Sequence, residues 1–144
     1  MKIGELRSLV GKMPFNALLG IHVARLHADG LTIECTVREE LLNSAEVLHG
    51  GVLATLADAA VGIALARHFG GRRPITTVEL KINYLRPVSQ GKVRARARLL
   101  RVGARICVGA VEMTDSENKV VAAALLSYIL LEPSGSVVRE RDGN

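Results

Sequence analysis

Asp58 is the residue whose type and surroundings most directly indicate chemistry. It is the only charged side chain in residues 52–66, a stretch made almost entirely of Ala, Leu, Val and Ile. A carboxylate among apolar residues either finds hydrogen-bond partners or resists ionisation. It can cap a backbone group, lie at a wet seam between two chains, or act on a substrate as nucleophile or general base. The last interpretation makes Asp58 a candidate catalytic residue.

The pair Gly50-Gly51 comes seven to eight residues before Asp58, where the apolar stretch begins. It predicts a tight turn into a helix, and free amides at a helix start can also stabilise an oxyanion. At about 1.5 Å per residue, these amides and Asp58 stand roughly 10–12 Å apart along one helix. One carbonyl needs donors at about 3 Å. If the two groups cooperate, they come from antiparallel helices of two chains, at a site shared across a dimer interface.

The elements that must hold these residues follow from the apolar pattern. A helix is predicted from Gly50 or Gly51 to Phe69, closed by Gly70-Gly71. Because this helix is apolar on all sides, a curved sheet and a second copy must cover it. The other predicted elements are a short helix at 3–10, a helical turn at 16–19, a hairpin at 21–37, a loop at 39–48, and strands at 78–84, 93–99, 106–114 and 120–131. This order indicates an α+β fold.

The composition indicates a single globular domain, which we expect over residues 1–132, with a frayed tail at 133–144. The net charge of +5 favours an anionic partner, but the chain lacks Trp and long Lys/Arg blocks, which argues against nucleic acid. The apolar stretch is too short and too charged for a membrane span, and no signal peptide is evident. Cys35 and Cys107 lie in apolar strand-like segments as thiols of a reducing compartment, so a cytoplasmic location is expected.

Several other kinds of active site are excluded by their missing motifs. There is no G-x-S-x-G elbow and no phosphate-binding Gly-rich loop. No His/Cys/Asp cluster has metal-ligand spacing, so neither a metal nor another cofactor is expected. His22, His27 and His68 are interpreted as structural residues.

Two stretches carry a resemblance to a known family. The first is NSAEVLHGG at 43–51, followed by LADAA at 56–60, and the second is TVELKINYLRP at 77–87. Together they resemble the PaaI-like (phenylacetate-degradation type) branch of the hotdog-fold acyl-CoA thioesterases, within the 4-hydroxybenzoyl-CoA thioesterase superfamily. The resemblance covers about residues 15–131. It implies a hotdog fold, in which an antiparallel β-sheet wraps around one long central helix.

The resemblance also implies roles for individual residues. Asp58 matches the carboxylate that attacks the thioester or activates water. Gly50, with Gly51 beside it, matches the amide that polarises the thioester carbonyl. Thr77 matches a hydroxyl position that hydrogen-bonds the carboxylate or the water.

Two further roles fall on the loop before the helix. Asn43 matches a side chain that helps to place the water or carboxylate, and His49 matches a residue that supports the loop. The chain departs from the family at Glu46, where a Gly is frequent. A side chain there can change the path of the loop or line the pocket, which bears on the role of Asn43.

Arginines near the predicted site are candidates for binding the phosphates of coenzyme A. Arg72, Arg73 and Arg86 flank the strand nearest the site, whereas the three strand arginines at 94, 96 and 98 are interpreted as a solvated face. The leading hypothesis is a cofactor-free acyl-CoA thioesterase that works as a homodimer or a dimer of dimers. The alternative is a non-catalytic acyl-CoA sensor or carrier module on the same fold. A hotdog dehydratase is a third possibility, but its differently spaced His and acid motifs are not found.

Overall fold

A computed structural model describes residues 1–133 of the chain, which form one antiparallel sheet and a central helix. The bounds of the elements are as follows: α1 Ile3–Gly11, α2 Pro14–Leu19, β1 His22–His27, β2 Gly30–Thr36, α3 Gly50–His68, β3 Ile75–Tyr84, β4 Lys92–Val102, β5 Ile106–Thr114 and β6 Val120–Leu130. A 3-10 turn, Glu39–Leu41, lies in the loop before α3. The predicted frayed tail, apart from Pro133, falls outside the described residues.

The six strands form a single sheet in the order β1-β2-β4-β5-β6-β3, and every neighbouring pair is antiparallel. The long helix α3 packs on one face of this sheet, against strands β2 to β6. Strand β3 therefore lies at an edge of the sheet, although it follows the helix directly in sequence. The predicted α+β architecture is confirmed, and it has the hotdog arrangement of a sheet wrapped around one helix.

The core forms because α3 presents small and branched apolar side chains to an apolar inner sheet face. The helix residues Leu56, Ala57, Ala60 and Val61 are fully buried. The closest approach is at Gly109 of β5, where an added Cβ would stand 2.7 Å from a methyl carbon of Val61. No side chain fits there without displacing the helix. By length and composition alone α3 could cross a membrane, but here it forms the core of the domain.

The ends of α3 lie close to where the sequence places them. His49 caps the N-terminus, and the helix ends at His68, one residue before the predicted Phe69. Gly70 and Gly71 follow with positive φ angles of 61° and 74°, which glycine adopts without steric cost and which end the helix. The predicted boundaries are thus confirmed to within one residue.

Strand β3 contains a bulge that the alternation pattern does not reveal. The strand starts at Ile75, three residues before the predicted start, and its pairing with β6 shifts between Thr77 and Glu79. Val78 lies in this bulge and is 58% exposed, whereas the alternation places it with the buried residues. The extra residue lets Thr77 keep an inward direction beside α3, because a bulge reverses the alternation of the strand.

Candidate active site

The carboxylate of Asp58 lies half-buried on α3, between the helix and the edge of the sheet. The hydroxyl of Thr77, on β3, donates to Asp58 Oδ1 at 2.7 Å. The phenol of Tyr128, on β6, lies 2.5 Å from the same Oδ1 and 2.6 Å from the backbone oxygen of Asp58. The partners that a carboxylate in an apolar helix requires are therefore two hydroxyl groups, one from the edge strand β3 and one from its neighbour β6.

Tyr128 is a component of this site that no sequence motif marks. Its side chain points inward from β6 between Leu126 and Leu130 and is only 4% exposed. Burial, followed by the hydrogen bond with Asp58, raises the pKa of Tyr128 well above its usual range, so the phenol stays protonated. The signal in the sequence that could have identified it is its alternation with Leu126 and Leu130, which places the Tyr128 side chain on the inner face of the sheet.

The first turn of α3 leaves one backbone amide open. The Gly51 N–H donates to Nδ1 of His49 at 2.8 Å, so this amide is occupied by the helix cap. The neighbouring Gly50 N–H has no acceptor among residues 1–133. Gly50 is thus the open donor at the positive end of the helix dipole, a position where a backbone N–H can bind a negatively charged oxygen. His49 supports the turn, and Gly51 belongs to its framework.

A cavity of about 310 Å³ opens beside Gly50. The Tyr84 hydroxyl, at the end of β3, donates to the Gly50 carbonyl oxygen at 2.9 Å. The ring of Tyr84 packs on the same glycine, since an added Cβ would meet two ring carbons at 3.1 and 3.2 Å. Asn43 and Arg86 also line this cavity.

Asn43 organises the loop that leads into α3. Its Oδ1 accepts hydrogen bonds from the amides of Ala45 at 2.9 Å and Val47 at 3.3 Å. Between them, Glu46 adopts a φ of 58°, in the left-handed region where glycine is preferred. The loop keeps its turn although the family's frequent Gly is absent, and the Asn43 carbonyl is engaged by the backbone rather than directed at Asp58.

The three arginines proposed to bind phosphates do not lie together in one chain. Arg86 lines the cavity beside Gly50, whereas Arg72 and Arg73 follow the opposite end of α3. Arg73 lies 3.6 Å from Glu132 in an ion pair. A second cavity, of about 450 Å³, opens at that far end and is lined by Arg67 and His68 among others, away from Asp58 and Gly50.

Two groups of site residues therefore emerge at different levels of α3. Asp58 and Thr77 form one group, and the loop residues around Gly50 form the other. Asp58 and Gly50 are eight residues apart on the helix. Within residues 1–133, no three His, Cys, Asp or Glu side chains lie close enough together to hold a metal ion. The chemistry available to these groups is that of a carboxylate and a backbone amide.

Known proteins share this arrangement of sheet and helix. A family model described as the Thioesterase superfamily matches residues 45–122, more than half of the chain. The medium/long-chain acyl-CoA thioesterase YigI of Escherichia coli is 28% identical over 89% of this chain and 91% of its own length.

Solved structures give the same result. A thioesterase from Haemophilus influenzae superposes with a TM-score of 0.85 at 26% identity, over 92% of each chain. A mutant of the phenylacetic acid degradation protein PaaI from Thermus thermophilus gives a TM-score of 0.74 at 28% identity, covering 82% of this chain and 99% of that one. The resemblance to PaaI-like hotdog proteins is confirmed, and the chain belongs to the thioesterase superfamily.

Proposed function

We propose that this protein hydrolyses acyl-CoA thioesters to a free acid and CoA, with Asp58 as the nucleophile or general base. The observation that carries the proposal is the setting of Asp58: a half-buried carboxylate whose Oδ1 is held by Thr77 and Tyr128. Such a carboxylate is oriented and partly shielded from water, which suits both roles.

Two balanced routes lead to the same products. In the covalent route, a carboxylate oxygen of Asp58 bonds to the acyl carbon and the C–S bond breaks with its electrons on sulfur. The oxygen of a water molecule then adds to the acyl carbon and the bond from that carbon to Asp58 breaks. One water proton passes to the thiolate, and the products are the free acid, CoA and the restored carboxylate. In the other route, the carboxylate takes a proton from water, the water oxygen bonds to the acyl carbon, and the proton passes to the departing thiolate. Both routes place negative charge on the carbonyl oxygen, which a free amide stabilises.

The open amide of Gly50 is the proposed oxyanion donor. We propose that it donates to the carbonyl oxygen of a thioester on which Asp58 of the other chain acts. Eight residues separate Gly50 from Asp58, so they stand about 12 Å apart along α3. One thioester carbonyl cannot reach both. We therefore propose a homodimer with antiparallel α3 helices, in which Asp58 works with the partner's Gly50.

Strand β3 supports this pairing. It is an edge strand whose outer edge is unpaired within residues 1–133, and it exposes Val78 and Tyr84, which are 58% and 54% exposed. Such an edge is a template for pairing with another strand. One end of β3 is tied to Asp58 through Thr77 and the other to Gly50 through Tyr84. Antiparallel pairing of two β3 strands about their middle would bring Asp58 toward the partner's Gly50.

The substrate class follows from the relatives and from the charges around the cavity. YigI acts on medium- and long-chain acyl-CoA, and we carry the acyl-CoA class over to this chain. Arg86 lies at the cavity beside Gly50, where a guanidinium can bind a CoA phosphate. Arg72 and Arg73 are proposed as further phosphate ligands only for a substrate that extends to the far end of α3.

The assembly and location that we propose rest on two further features. Leu125, 47% exposed on the outer sheet face, lies between Ala110 of β5 and Lys81 of β3, and we propose this face as the contact between two dimers. Cys35 and Cys107 are buried free thiols, which fits a reducing compartment such as the cytoplasm.

The test is a thiol-release assay on a panel of short, medium, long and aryl acyl-CoAs. We expect the unaltered protein to release CoA, and Asp58→Asn to lose at least about 100-fold in kcat because the attacking or proton-accepting oxygen is lost. Glu117→Gln, in the β5–β6 turn, is the matched control and should retain full activity. Tight binding of acyl-CoA without CoA release by the unaltered protein would instead identify the non-catalytic sensor, and near-normal turnover by Asp58→Asn would remove Asp58 from the mechanism.

A further inference from the structure

The hydrogen bonds around Asp58 are unequally divided between its two carboxylate oxygens. Thr77 donates to Oδ1, and Tyr128 lies 2.5 Å from the same atom. Oδ2 accepts no hydrogen bond from residues 1–133. The two oxygens of one carboxylate thus have different surroundings, one held by two strands and the other open.

The protons available show how this arrangement is held. Thr77 and Tyr128 contribute one hydroxyl hydrogen each, and Tyr128 can donate either to Oδ1 or to the Asp58 backbone oxygen. The backbone oxygen already serves the helix, as the expected acceptor for the amide four residues on, that of Gly62. The charged Oδ1 is the stronger acceptor. Because burial and the contact with Asp58 raise the pKa of Tyr128, its phenol remains a neutral donor at working pH.

Holding Oδ1 fixes the direction of Oδ2. The terminal torsion of an aspartate is broad, so a free carboxylate samples many orientations. Two donors on one oxygen, from β3 and from β6, restrict that rotation. The unbonded oxygen then points in a set direction, as a reacting atom must.

We propose that Tyr128 is a positioning residue for thioester hydrolysis: together with Thr77 it anchors Oδ1, which makes Oδ2 the oxygen that attacks the acyl carbon or takes the proton from water. This inference rests on the proposed function of Asp58. Tyr128 itself does not touch the substrate and exchanges no proton with it; the bonds made and broken remain those of the two routes given above.

Gly62 provides the room that this arrangement needs. It lies on α3 one turn after Asp58, and an added Cβ would stand 3.2 Å from the Tyr128 hydroxyl oxygen. Gly inside a helix is less stable than Ala. Gly62 therefore lowers the local stability of the helix. The phenol of Tyr128 explains its presence, because a side chain at this position would crowd the hydroxyl. Gly62→Ala displaces the hydroxyl without removing any hydrogen-bonding group.

The first experiment compares kcat and KM for Tyr128→Phe and Thr77→Val. We expect each to lower kcat about tenfold, which corresponds to one hydrogen bond to a charged group, with KM changed less than about twofold. Ser127→Ala removes a hydroxyl from the opposite face of β6 and should leave both constants unchanged. A purely structural role of Tyr128 would lower the melting temperature and leave the kcat of the folded enzyme intact.

The second experiment is a double-mutant cycle between Gly62→Ala and Tyr128→Phe. Gly62→Ala should lower kcat in the unaltered enzyme and have little further effect in the Tyr128→Phe background, where no hydroxyl remains to be displaced. Equal effects of Gly62→Ala in both backgrounds, or unaltered kcat in Tyr128→Phe, would overturn the inference. Asp58→Asn separates the two levels: if it is inactive while Tyr128→Phe is fully active, only the positioning role fails, and if it is active, the proposed function fails as well.

Discussion

The hydroxyl of Tyr84 donates to the carbonyl oxygen of Gly50 at 2.9 Å, which ties the end of an edge strand to the start of the central helix. A second tie, from Thr77 to Asp58, lies toward the other end of the same strand. Strand β3 therefore contacts both Asp58 and Gly50 of its own chain. In the proposed dimer, the Asp58 of one chain and the Gly50 of the other act on one substrate. The first two predictions test what this arrangement implies for catalysis, and the third tests the pairing of two chains.

Gly50→Pro should abolish turnover while preserving the fold. Proline is well tolerated at the first position of a helix and removes only an N–H that is already unpaired. The preceding residue must be extended, and His49 has φ −58° and ψ 134°. The proline ring would contact Tyr84, but the Tyr84 side chain lies on the surface and can move away from it. We expect kcat to fall about 100-fold or more, the effect of losing an oxyanion donor.

Circular dichroism and thermal unfolding should show a folded Gly50→Pro protein. Gly50→Ala is the informative comparison, because its amide remains while its added Cβ meets Tyr84 at 3.1–3.3 Å, the same neighbour that the proline ring would meet. A folded Gly50→Pro protein with unaltered kcat would show that this amide is not the oxyanion donor.

Two inactive variants should restore activity when their chains are mixed. In a dimer of one Asp58→Asn chain and one Gly50→Pro chain, one of the two sites combines the intact Asp58 with the intact Gly50. Random exchange makes half of the dimers mixed, so the 1:1 mixture should recover about a quarter of the unaltered activity. The measurement is CoA release after the two proteins are unfolded and refolded together. A mixture that stays inactive would show that each chain carries its own complete site.

Pairing of β3 with a second copy should be detectable by disulfide cross-linking. Glu79, Lys81 and Asn83 point outward near the middle of the strand, and the two native cysteines are buried. If a two-fold axis passes near this region, one of the three single cysteine substitutions should give an oxidised dimer, since a disulfide needs Cα atoms about 4.4–6.8 Å apart. Glu117→Cys in the β5–β6 turn is the negative control. Equal cross-linking at all four positions would indicate random collision instead of a β3 interface.

Glu46→Gly should stabilise the loop before α3. Glu46 has a φ of 58°, a conformation that costs a non-glycine residue about 1–2 kcal/mol. Part of this gain is offset by the greater freedom of glycine in the unfolded chain, so we expect a net increase of about 0.5–1 kcal/mol in the free energy of unfolding. Urea denaturation measures it. Asn118→Gly is the matched control, at φ 61°, and should gain less because Asn tolerates this region.

Glu34 should make stability depend on pH in the acidic range. Its carboxylate contacts Lys92 at 2.8 Å and Arg94 at 2.9 Å. Burial works against its ionisation, but the hydrogen bonds from these two cations hold the pKa of Glu34 below its ordinary value. The resulting stabilisation is complete above the ordinary glutamate pKa and is lost as the pH falls through the depressed folded-state value.

Glu34→Gln should therefore lower the free energy of unfolding by about 1–2 kcal/mol at pH 7, the contribution of hydrogen bonds between charged groups. The difference from the unaltered protein should shrink as the pH falls below about 4. Urea denaturation at several pH values provides the measurement, with the exposed Glu112→Gln as control. A difference that stays constant from pH 7 to pH 3 would contradict this role of the ionised carboxylate.

Much of the fold could be predicted because its signals are local. The apolar helix, its closing glycine pair and the alternating strands are all encoded over a few neighbouring residues. The bulge at Val78 could not be predicted, because it arises from the pairing between β3 and β6. Seen in sequence alone, Val78 completes a regular alternation with Leu80 and Ile82.

The site was predictable in part for the same reason. Asp58 and Gly50 lie on one helix, and their separation follows from the helix rise. Tyr128 is 70 residues from Asp58 and meets it only because β6 lies next to β3 at the edge of the sheet. That neighbour relation is a property of topology, and the alternation of β6 says only that Tyr128 points inward.

The close contact between Gly109 and Val61 has a consequence for how substrate range can diverge. Helix and sheet approach so closely there that not even a methyl group can be inserted. An acyl tail therefore cannot pass between the helix and the sheet at this contact. Changes in chain-length preference can then accumulate in surface residues near the loop and β3 while the core sequence stays constant. Engineering of this enzyme for new acyl groups should accordingly begin outside the helix–sheet interface.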